Sequence, residues 1–121
     1  MREYAVQGDR YNEQSRVLHI EDFLRTNLGD SALNTQRIAA EFHVSPTHLR
    51  RLFAKEMHTS PVAYLSSLRL EKAKQLLLSR PELSVAEIAR ECGYASIYYF
   101  SQAFRQAVGK SPSEYRGQAH G

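Results

Sequence analysis

Apolar residues along this chain recur every three or four positions, the spacing that places them on one face of an α-helix. The first such segment predicts a core-forming helix that begins at Ser15, a suitable N-cap, and stops before Gly29. Its apolar positions are Val17, Ile20, Phe23, Leu24 and Leu28. Residues 1–14 lack this spacing, so we predict a polar lead-in or the end of a linker there.

Capping residues mark the helices that follow. Asn34 or Thr35 is expected to cap a short helix that ends at about Phe42. Ser45-Pro46 and Ser60-Pro61 each predict a further helix start. Serine accepts hydrogen bonds from the free amides of a first helical turn, and proline in that turn loses none.

The helix after Ser60 is predicted to run to about Ser79, where Arg80-Pro81 ends it. Residues 61 to 79 number 19, and they span roughly 28 Å at about 1.5 Å per residue. Three further helices are predicted. Ser84 with Glu87 forms a capping box at the start of a short helix, and Gly93 is expected to form a left-handed turn after it. Ser96 predicts the start of a helix to about Val108, and Ser111-Pro112 predicts the start of a last short helix.

One module occurs twice in the chain. Ile38-Ala39-Ala40-Glu41 returns 50 residues later as Ile88-Ala89-Arg90-Glu91, and Ser60-Pro61 returns 51 residues later as Ser111-Pro112. The second copy is therefore predicted to carry one extra residue in its turn. Each copy predicts a short helix, a tight turn and a longer basic helix, which is the layout of a helix-turn-helix DNA reader.

The predicted fold is all-α, with about seven helices and two helix-turn-helix subdomains joined by a long connecting helix. We expect the first subdomain over residues 15–60, the connecting helix over 61–80, the second subdomain over 81–117 and a tail over 118–121.

Composition excludes several classes of protein. Among 121 residues, 42% are hydrophobic and 24% charged, as in an ordinary globular protein. No apolar run approaches the roughly 18 residues of a membrane span, and the N-terminus has no apolar secretion segment. Cys92, the one cysteine, cannot form an internal disulfide and is predicted to be a buried structural thiol.

The net charge of +3 hides an asymmetry. Residues 1–42 carry five Arg against seven acids, whereas residues 43–121 carry eleven Lys and Arg against six acids. An excess of positive charge attracts polyanions and makes their binding fall with salt. Charge alone is weak support for a nucleic-acid partner, because many globular domains are similarly basic.

The two longer helices of the repeat are predicted to bury one face and expose the other. The inward residues are Leu49, Leu52, Phe53 and Met57 in the first copy, and Ile97, Phe100, Ala103, Phe104 and Val108 in the second. Arg50 and Arg51 diverge by about 100° around the first helix, so at most one can point at base edges while the other reaches the backbone. A solvated surface is the alternative for this pair.

Two other classes of function compete with DNA reading. An enzyme would need a convergent set of acids, bases or nucleophiles, and the candidates have no recognised catalytic or zinc-binding spacing. These candidates are His19, His43, His48, His58, His120 and Cys92. A helical-repeat scaffold for protein partners usually needs three or more copies, and this chain has two.

The sequence resembles the DNA-binding domain of the arabinose-regulator (AraC/XylS) family of bacterial transcription regulators, over about residues 15–117. The second copy carries most of the match, in the runs of residues 88–94, 99–105 and 109–116. Residues 45–53 and 68–73 resemble the family as well. The resemblance implies seven helices, two helix-turn-helix units and promoter binding. We expect a monomeric domain without cofactor, metal or catalysis.

By position, the resemblance places the DNA-contacting residues on the two longer helices. The base-facing positions are Pro46, Thr47, Arg50 and Arg51 in the first reader, and Ile97, Tyr98 and Gln102 in the second. The starts and exposed faces of the same helices add predicted DNA contacts from His48 and Lys55 in the first reader, and from Ser96, Tyr99 and Arg105 in the second. The family often has Arg at the position of Gln102 and small polar residues at those of Ile97 and Tyr98. Gln102 suits adenine instead, so we expect the first reader to dominate specificity.

The resemblance also implies activation of transcription rather than repression. We further expect a cytoplasmic location, and the sequence leaves open whether the domain contacts RNA polymerase. The chain is expected to be either a stand-alone regulator or the C-terminal piece of a longer one, with any oligomerisation through a segment outside it.

Overall fold

The computed structural model describes the backbone of residues 2–120 and the side chains of residues 13–118. Over that range the chain forms seven α-helices and no strand, which confirms the predicted fold class. The helices are α1 (Arg2–Asn27), α2 (Thr35–Glu41), α3 (Pro46–Met57), α4 (Pro61–Ser79), α5 (Val85–Glu91), α6 (Ile97–Val108) and α7 (Pro112–His120). Across residues 2–120, no helix is both long and apolar enough to cross a membrane.

The first helix begins earlier than predicted. Helical backbone extends from Arg2, so the predicted start at Ser15 is wrong, and α7 likewise runs to His120 through much of the predicted tail. Apolar spacing reports which residues pack against a core, whereas Glu, Ala, Gln and Arg sustain a helix without packing. At the other end, the Asn27 side-chain amide donates to the carbonyl of Phe23 (2.8 Å), two residues before Gly29.

Polar side chains begin the helices where the sequence predicted. Asn34 Oδ1 accepts from the backbone N–H of Arg37 (2.9 Å), which selects Asn34 over Thr35 as the cap of α2. The hydroxyl oxygens of Ser45, Ser84 and Ser96 accept in the same way at the starts of α3, α5 and α6. These bonds satisfy amides that lack a partner within the helix.

A reciprocal capping box begins α7. The Ser111 N–H donates to Glu114 Oε1 (2.8 Å), and the Glu114 N–H donates to Ser111 Oγ (3.1 Å). The backbone N–H of Ser111 is the main reason that the pKa of Glu114 lies below its ordinary value, because it stabilises the carboxylate. The end of the second module is thus fixed by local chemistry.

The chain divides into two compact units. Unit 1 comprises Met1–Asn27 and Leu33–Leu65, and unit 2 comprises Leu28–Ala32 and Ser66–Gly121. In unit 1 the core is formed by apolar side chains from α1 to α4, with the ring of Phe53 edge-on to Tyr64 at 5.9 Å between centroids. The buried hydrophobic core residues are Val17, Ile20, Leu24, Leu33, Ile38, Ala39, Leu49, Leu52, Phe53 and Leu65.

Tyr64 also ties two helices of unit 1 together. Its hydroxyl donates to Glu21 Oε2 at 2.5 Å and accepts from Arg25 Nη2 at 3.1 Å, so α4 is bonded to α1. Burial, followed by the hydrogen bond to Glu21, raises the pKa of Tyr64 above its ordinary value. Tyr64 therefore contributes both a packed ring and two hydrogen bonds to unit 1.

Unit 2 has its own core. Its core cluster consists of the buried residues Ala73, Leu77, Ile88, Ala89, Cys92, Phe100 and Phe104, and the ring of Tyr115 packs edge-on to Phe104 at 5.4 Å. Burial raises the pKa of the Cys92 thiol to about 11, so the thiol is neutral and structural, as predicted. The Arg116 guanidinium donates to three carbonyls, those of Leu77, Arg80 and Leu83.

The structure confirms the internal repeat and locates its extra residue. Helices α2 and α5 are offset by 50 residues, whereas α3 and α6 are offset by 51, so the insertion lies in the turn between the paired helices. Left-handed backbone occurs at matching positions of the two copies. His43 (φ 57°) corresponds to Gly93 (φ 84°), and His58 (φ 58°) corresponds to Gly109 (φ 88°).

Candidate nucleic-acid interface

The first reader, helix α3, is anchored by three buried side chains. Leu49, Leu52 and Phe53 pack into the core of unit 1, and this leaves the opposite face of the helix to solvent. The chain enters α3 from a tight turn, in which the Val44 N–H donates a hydrogen bond to the Ala39 carbonyl at 3.0 Å. The predicted layout of short helix, turn and longer helix is therefore present in this unit.

The exposed face of α3 carries most of the predicted contact residues. Thr47, Arg50 and Arg51 are exposed, and neither arginine pairs with an acidic side chain among residues 13–118. Unpaired guanidinium groups keep all their donors available to a ligand. Pro46 is half-buried at the first position of the helix, where it fixes the backbone.

His48 does not share the open surface of the arginines. It is half-buried and lines a groove between α1 and α3 together with Glu13, Ser15, Arg16, His19 and Leu52. The prediction that placed His48 on the outer face with Arg50 missed this neighbour, because nothing in the pattern of α3 shows where α1 packs. The side chain contributes less open surface than the sequence suggested.

Lys55 has an internal partner that the sequence did not reveal. Its ammonium lies 3.0 Å from Glu13 Oε1 of α1, with both side chains substantially exposed. Exposed pairs of this kind contribute about 0.2–1 kcal/mol and are screened by salt. The Lys55 ammonium can therefore release Glu13 and bind another anion instead.

The second reader, helix α6, is anchored by Phe100 and Phe104 in the core of unit 2. Its turn contains buried Cys92 and Gly93, and the Tyr94 N–H donates to the Ala89 carbonyl at 2.9 Å. Gly93 adopts the left-handed conformation that the sequence predicted. Ser96, which is half-buried, caps the helix through a 3.2 Å bond from the Tyr98 N–H.

The outer face of α6 differs in chemistry from that of α3. Large apolar or aromatic side chains lie at its start, with Ile97 48%, Tyr98 63% and Tyr99 68% exposed, and Gln102 and Arg105 are exposed beyond them. Helix α6 carries one cation and no acid, whereas α3 carries three cations, Arg50, Arg51 and Lys55, and one acid, Glu56. Large contiguous patches of exposed apolar side chains are typical of surfaces that bind another molecule.

Ile97 corrects one packing prediction. The apolar spacing placed it on the buried face with Phe100 and Phe104, but it is exposed at the first turn. Ile97 is the first residue of α6 and lies outside the part of the helix that Phe100 and Phe104 bury in unit 2. Its exposure agrees with the alternative position that the family resemblance gave it, among the outward residues.

Other chemistry is limited in the described side chains. Among residues 13–118, no group of three or more His, Cys, Asp or Glu is arranged to hold a metal ion. His43 and His58 are exposed turn residues, and the His120 side chain lies outside the described residues. The site consists instead of two solvent-facing helix surfaces, one cationic and one aromatic.

Comparison with known proteins identifies this arrangement. The model of the family described as a helix-turn-helix domain matches residues 38–118. The uncharacterized HTH-type transcriptional regulator YijO of Escherichia coli (strain K12) is 42% identical over 116 residues, covering 93% of this chain and 41% of that protein. The lactose operon transcription activator of Staphylococcus xylosus is 34% identical, covering 93% of this chain and 39% of that protein.

A solved structure shows the same fold. The DNA-binding domain of AdpA, a global transcriptional factor, in complex with a target DNA superposes with a TM-score of 0.79 and 26% sequence identity, covering 84% of this chain and 89% of that one. The present chain spans about two fifths of the length of the two curated relatives.

Proposed function

The chain belongs to the arabinose-regulator (AraC-type) family of helix-turn-helix transcription regulators, and we propose that it binds double-stranded DNA through the exposed faces of α3 and α6. One observation carries the proposal. Both helices follow a capped turn in the same layout, and both are held by buried residues that leave the opposite face open. Members of this family are DNA-binding regulators, not enzymes.

Helix α3 is proposed to supply most of the affinity and specificity. Arg50 and Arg51 are adjacent and exposed, so at most one can point toward base edges while the other can reach a phosphate. Thr47, in the first turn, has a methyl group that suits a thymine. Lys55 adds a phosphate contact after it leaves Glu13.

Helix α4 is proposed to connect the two readers, so that they occupy successive major-groove segments of one DNA site. Its 19 residues support this role, because a rod of roughly 28 Å approaches the ~34 Å repeat of the groove. Bending of the DNA would accommodate the difference, at an elastic cost of about 1–6 kcal/mol.

The role of the whole protein is proposed from its relatives. The name of the lactose operon transcription activator of Staphylococcus xylosus supports activation of transcription. RNA polymerase is proposed as a further partner. A regulator of bacterial promoters acts in the cytoplasm, where the DNA is. The domain is proposed to act as a monomer.

Salt dependence tests DNA binding. The logarithm of the association constant for a duplex should fall linearly with the logarithm of salt concentration, because each neutralised phosphate releases counterions. Fluorescence anisotropy on a duplex selected from a random pool measures this slope. Binding that does not change with salt, or retention of a protein partner instead of DNA, would favour a helical-repeat scaffold and contradict the proposal.

The pair between Lys55 and Glu13 gives a second prediction. Glu13→Gln should tighten duplex binding by about two- to fivefold at low salt, because it frees Lys55 and removes a negative charge near the DNA. The gain should vanish at high salt. Asp22→Asn is the matched control, because Asp22 lies nine residues further along α1 and so on its opposite face. Equal gains from both substitutions would show that only net charge matters.

A further inference from the structure

Two exposed side chains of α6 are held in a fixed relation. Gln102 Nε2 donates a hydrogen bond to the hydroxyl oxygen of Tyr98, four residues earlier, at 2.9 Å. Long side chains on a helix lean toward its N-terminus, so the bond holds the Gln102 carboxamide over the first turn of α6. That turn is the part of a recognition helix that reaches base edges.

The bond leaves Gln102 with a defined set of free polar groups. A carboxamide has two N–H donors and one carbonyl acceptor, and Tyr98 accepts from one of the donors. One N–H and Oε1 remain. The major-groove edge of adenine presents N7 as an acceptor and the N6 amino group as a donor, which match these two groups. Guanine presents two acceptors, so Oε1 of Gln102 would face its O6 with no proton between them.

We propose that Tyr98 is a positioning residue that orients Gln102 toward adenine, so that α6 reads an A·T pair. This inference rests on the proposed function of α6 as a DNA reader. Ile97, exposed in the same turn, adds apolar surface that suits the C5 methyl group of the paired thymine. The aromatic start of α6 thereby serves sequence readout, while α3 carries the cations.

The Tyr98 hydroxyl has one competing role, that of a donor to a phosphate. The two roles predict a different dependence of binding affinity on the DNA sequence. Loss of a phosphate contact weakens binding to every duplex by a similar factor, whereas loss of the bond to Gln102 changes preference at one base pair. Preference at a single position therefore separates positioning from backbone contact.

The experiment starts from duplexes selected from a random pool by the wild-type chain. One adenine of the second groove segment is then replaced by guanine, with its pair, or by 7-deazaadenine, which lacks the N7 acceptor. Affinities are measured for the wild type, Tyr98→Phe, Gln102→Ala and the double variant. Phenylalanine retains the ring and its contact with Tyr99, at 5.8 Å between centroids. Tyr99→Phe is the matched control, since it removes a neighbouring exposed hydroxyl.

We expect the wild type to prefer A·T over G·C at this position by roughly tenfold and to lose a similar factor with 7-deazaadenine. Tyr98→Phe should reduce that preference by about threefold without changing preferences elsewhere or the melting temperature. Gln102→Ala should abolish it, and Tyr98→Phe should then have no further effect. Tyr99→Phe should leave the A·T preference unchanged, and any loss of affinity that it causes should be equal for all duplexes, as expected of a phosphate contact.

Two results would overturn the positioning role of Tyr98. One is an unchanged A·T preference in Tyr98→Phe, and the other is an equal loss of affinity for all duplexes. Both leave the proposed function standing, because the wild type still selects a sequence. If the wild type selects none and binds duplexes independently of salt, the proposed function itself fails.

Discussion

Replacing Gly93 with alanine should lower the free energy of unfolding of unit 2 by about 3 kcal/mol or more. The residue adopts φ 84°, a conformation that L-residues with a side chain rarely adopt. A Cβ atom there would also lie 2.2 Å from the carbonyl oxygen of Leu28 and 2.7 Å from Arg69 Nε. The neighbouring backbone cannot move away without breaking other bonds.

Those other bonds hold the segment Leu28–Ala32 in unit 2. Arg69 Nε donates to the Leu28 carbonyl and Arg69 Nη2 to the Asp30 carbonyl, each at 2.8 Å. The guanidinium also lies 5.9 Å from the ring centre of Tyr94. Burial is the main reason that the pKa of Arg69 lies below its ordinary value, and its hydrogen bonds offset that desolvation. A side chain at residue 93 would displace this arrangement.

Urea unfolding followed by circular dichroism measures the loss, and two other glycines provide controls. Gly109 has a similar left-handed backbone, with φ 88°, but an added Cβ atom would meet open space. Gly109→Ala should therefore lower the free energy of unfolding by only about 1–2 kcal/mol. Gly117→Ala, in α7 with open space around it, should stabilise by about 0.5–1 kcal/mol. Equal losses at Gly93 and Gly109 would show that backbone conformation alone, and not crowding by Leu28, makes glycine necessary.

The repeat made part of this turn predictable from the sequence. Gly93 signalled a left-handed residue, but His43 at the matching position of the first copy gave no such signal, although its φ is 57°. Histidine is one of the residues that tolerate this region, so its presence does not identify the conformation. Alignment of the two copies could have revealed it, because a turn of the same layout needs the same backbone reversal.

Helix starts were predicted well where a cap was present and poorly where it was not. Ser45, Ser84 and Ser96 act through bonds to the next few amides, so a few residues of sequence contain the whole interaction. The start of helix α1 was not predictable in this way, because the sequence of its first turns has no apolar residues at helical spacing. Periodicity therefore located the core-facing part of α1 and missed its start.

In the candidate site as well, features set within one helix were predictable from the sequence, and contacts between helices were not. Helical periodicity predicted the exposure of Arg50, Arg51 and Gln102, because burial of the opposite face follows from spacing within each helix. The pairing of Lys55 with Glu13 joins residues 42 apart in sequence and needs the packing of α1 on α3. The bond from Gln102 to Tyr98 spans four residues, so that contact was available from the sequence.

Arg51→Ala should weaken binding to the selected duplex by about 1–3 kcal/mol, more than Gln102→Ala does. Its guanidinium is exposed and has no acidic partner among residues 13–118, so binding DNA breaks no ion pair within that range. Gln102 contributes neutral hydrogen bonds, which are weaker than those of a charged donor. Anisotropy titrations of both variants on the same duplex give the ranking, and an equal or larger loss from Gln102→Ala would reverse it.

Arg51→Lys separates base reading from charge. Lysine keeps the positive charge but not the planar fork that bonds both N7 and O6 of guanine. If Arg51 reads a base, Arg51→Lys should lose preference at one base pair while the salt slope stays the same. If Arg50 is the base reader and Arg51 contacts a phosphate, Arg51→Lys should bind like the wild type and Arg50→Lys should lose the preference instead. Because the two side chains diverge by about 100° around α3, we expect only one of these lysine variants to change sequence preference.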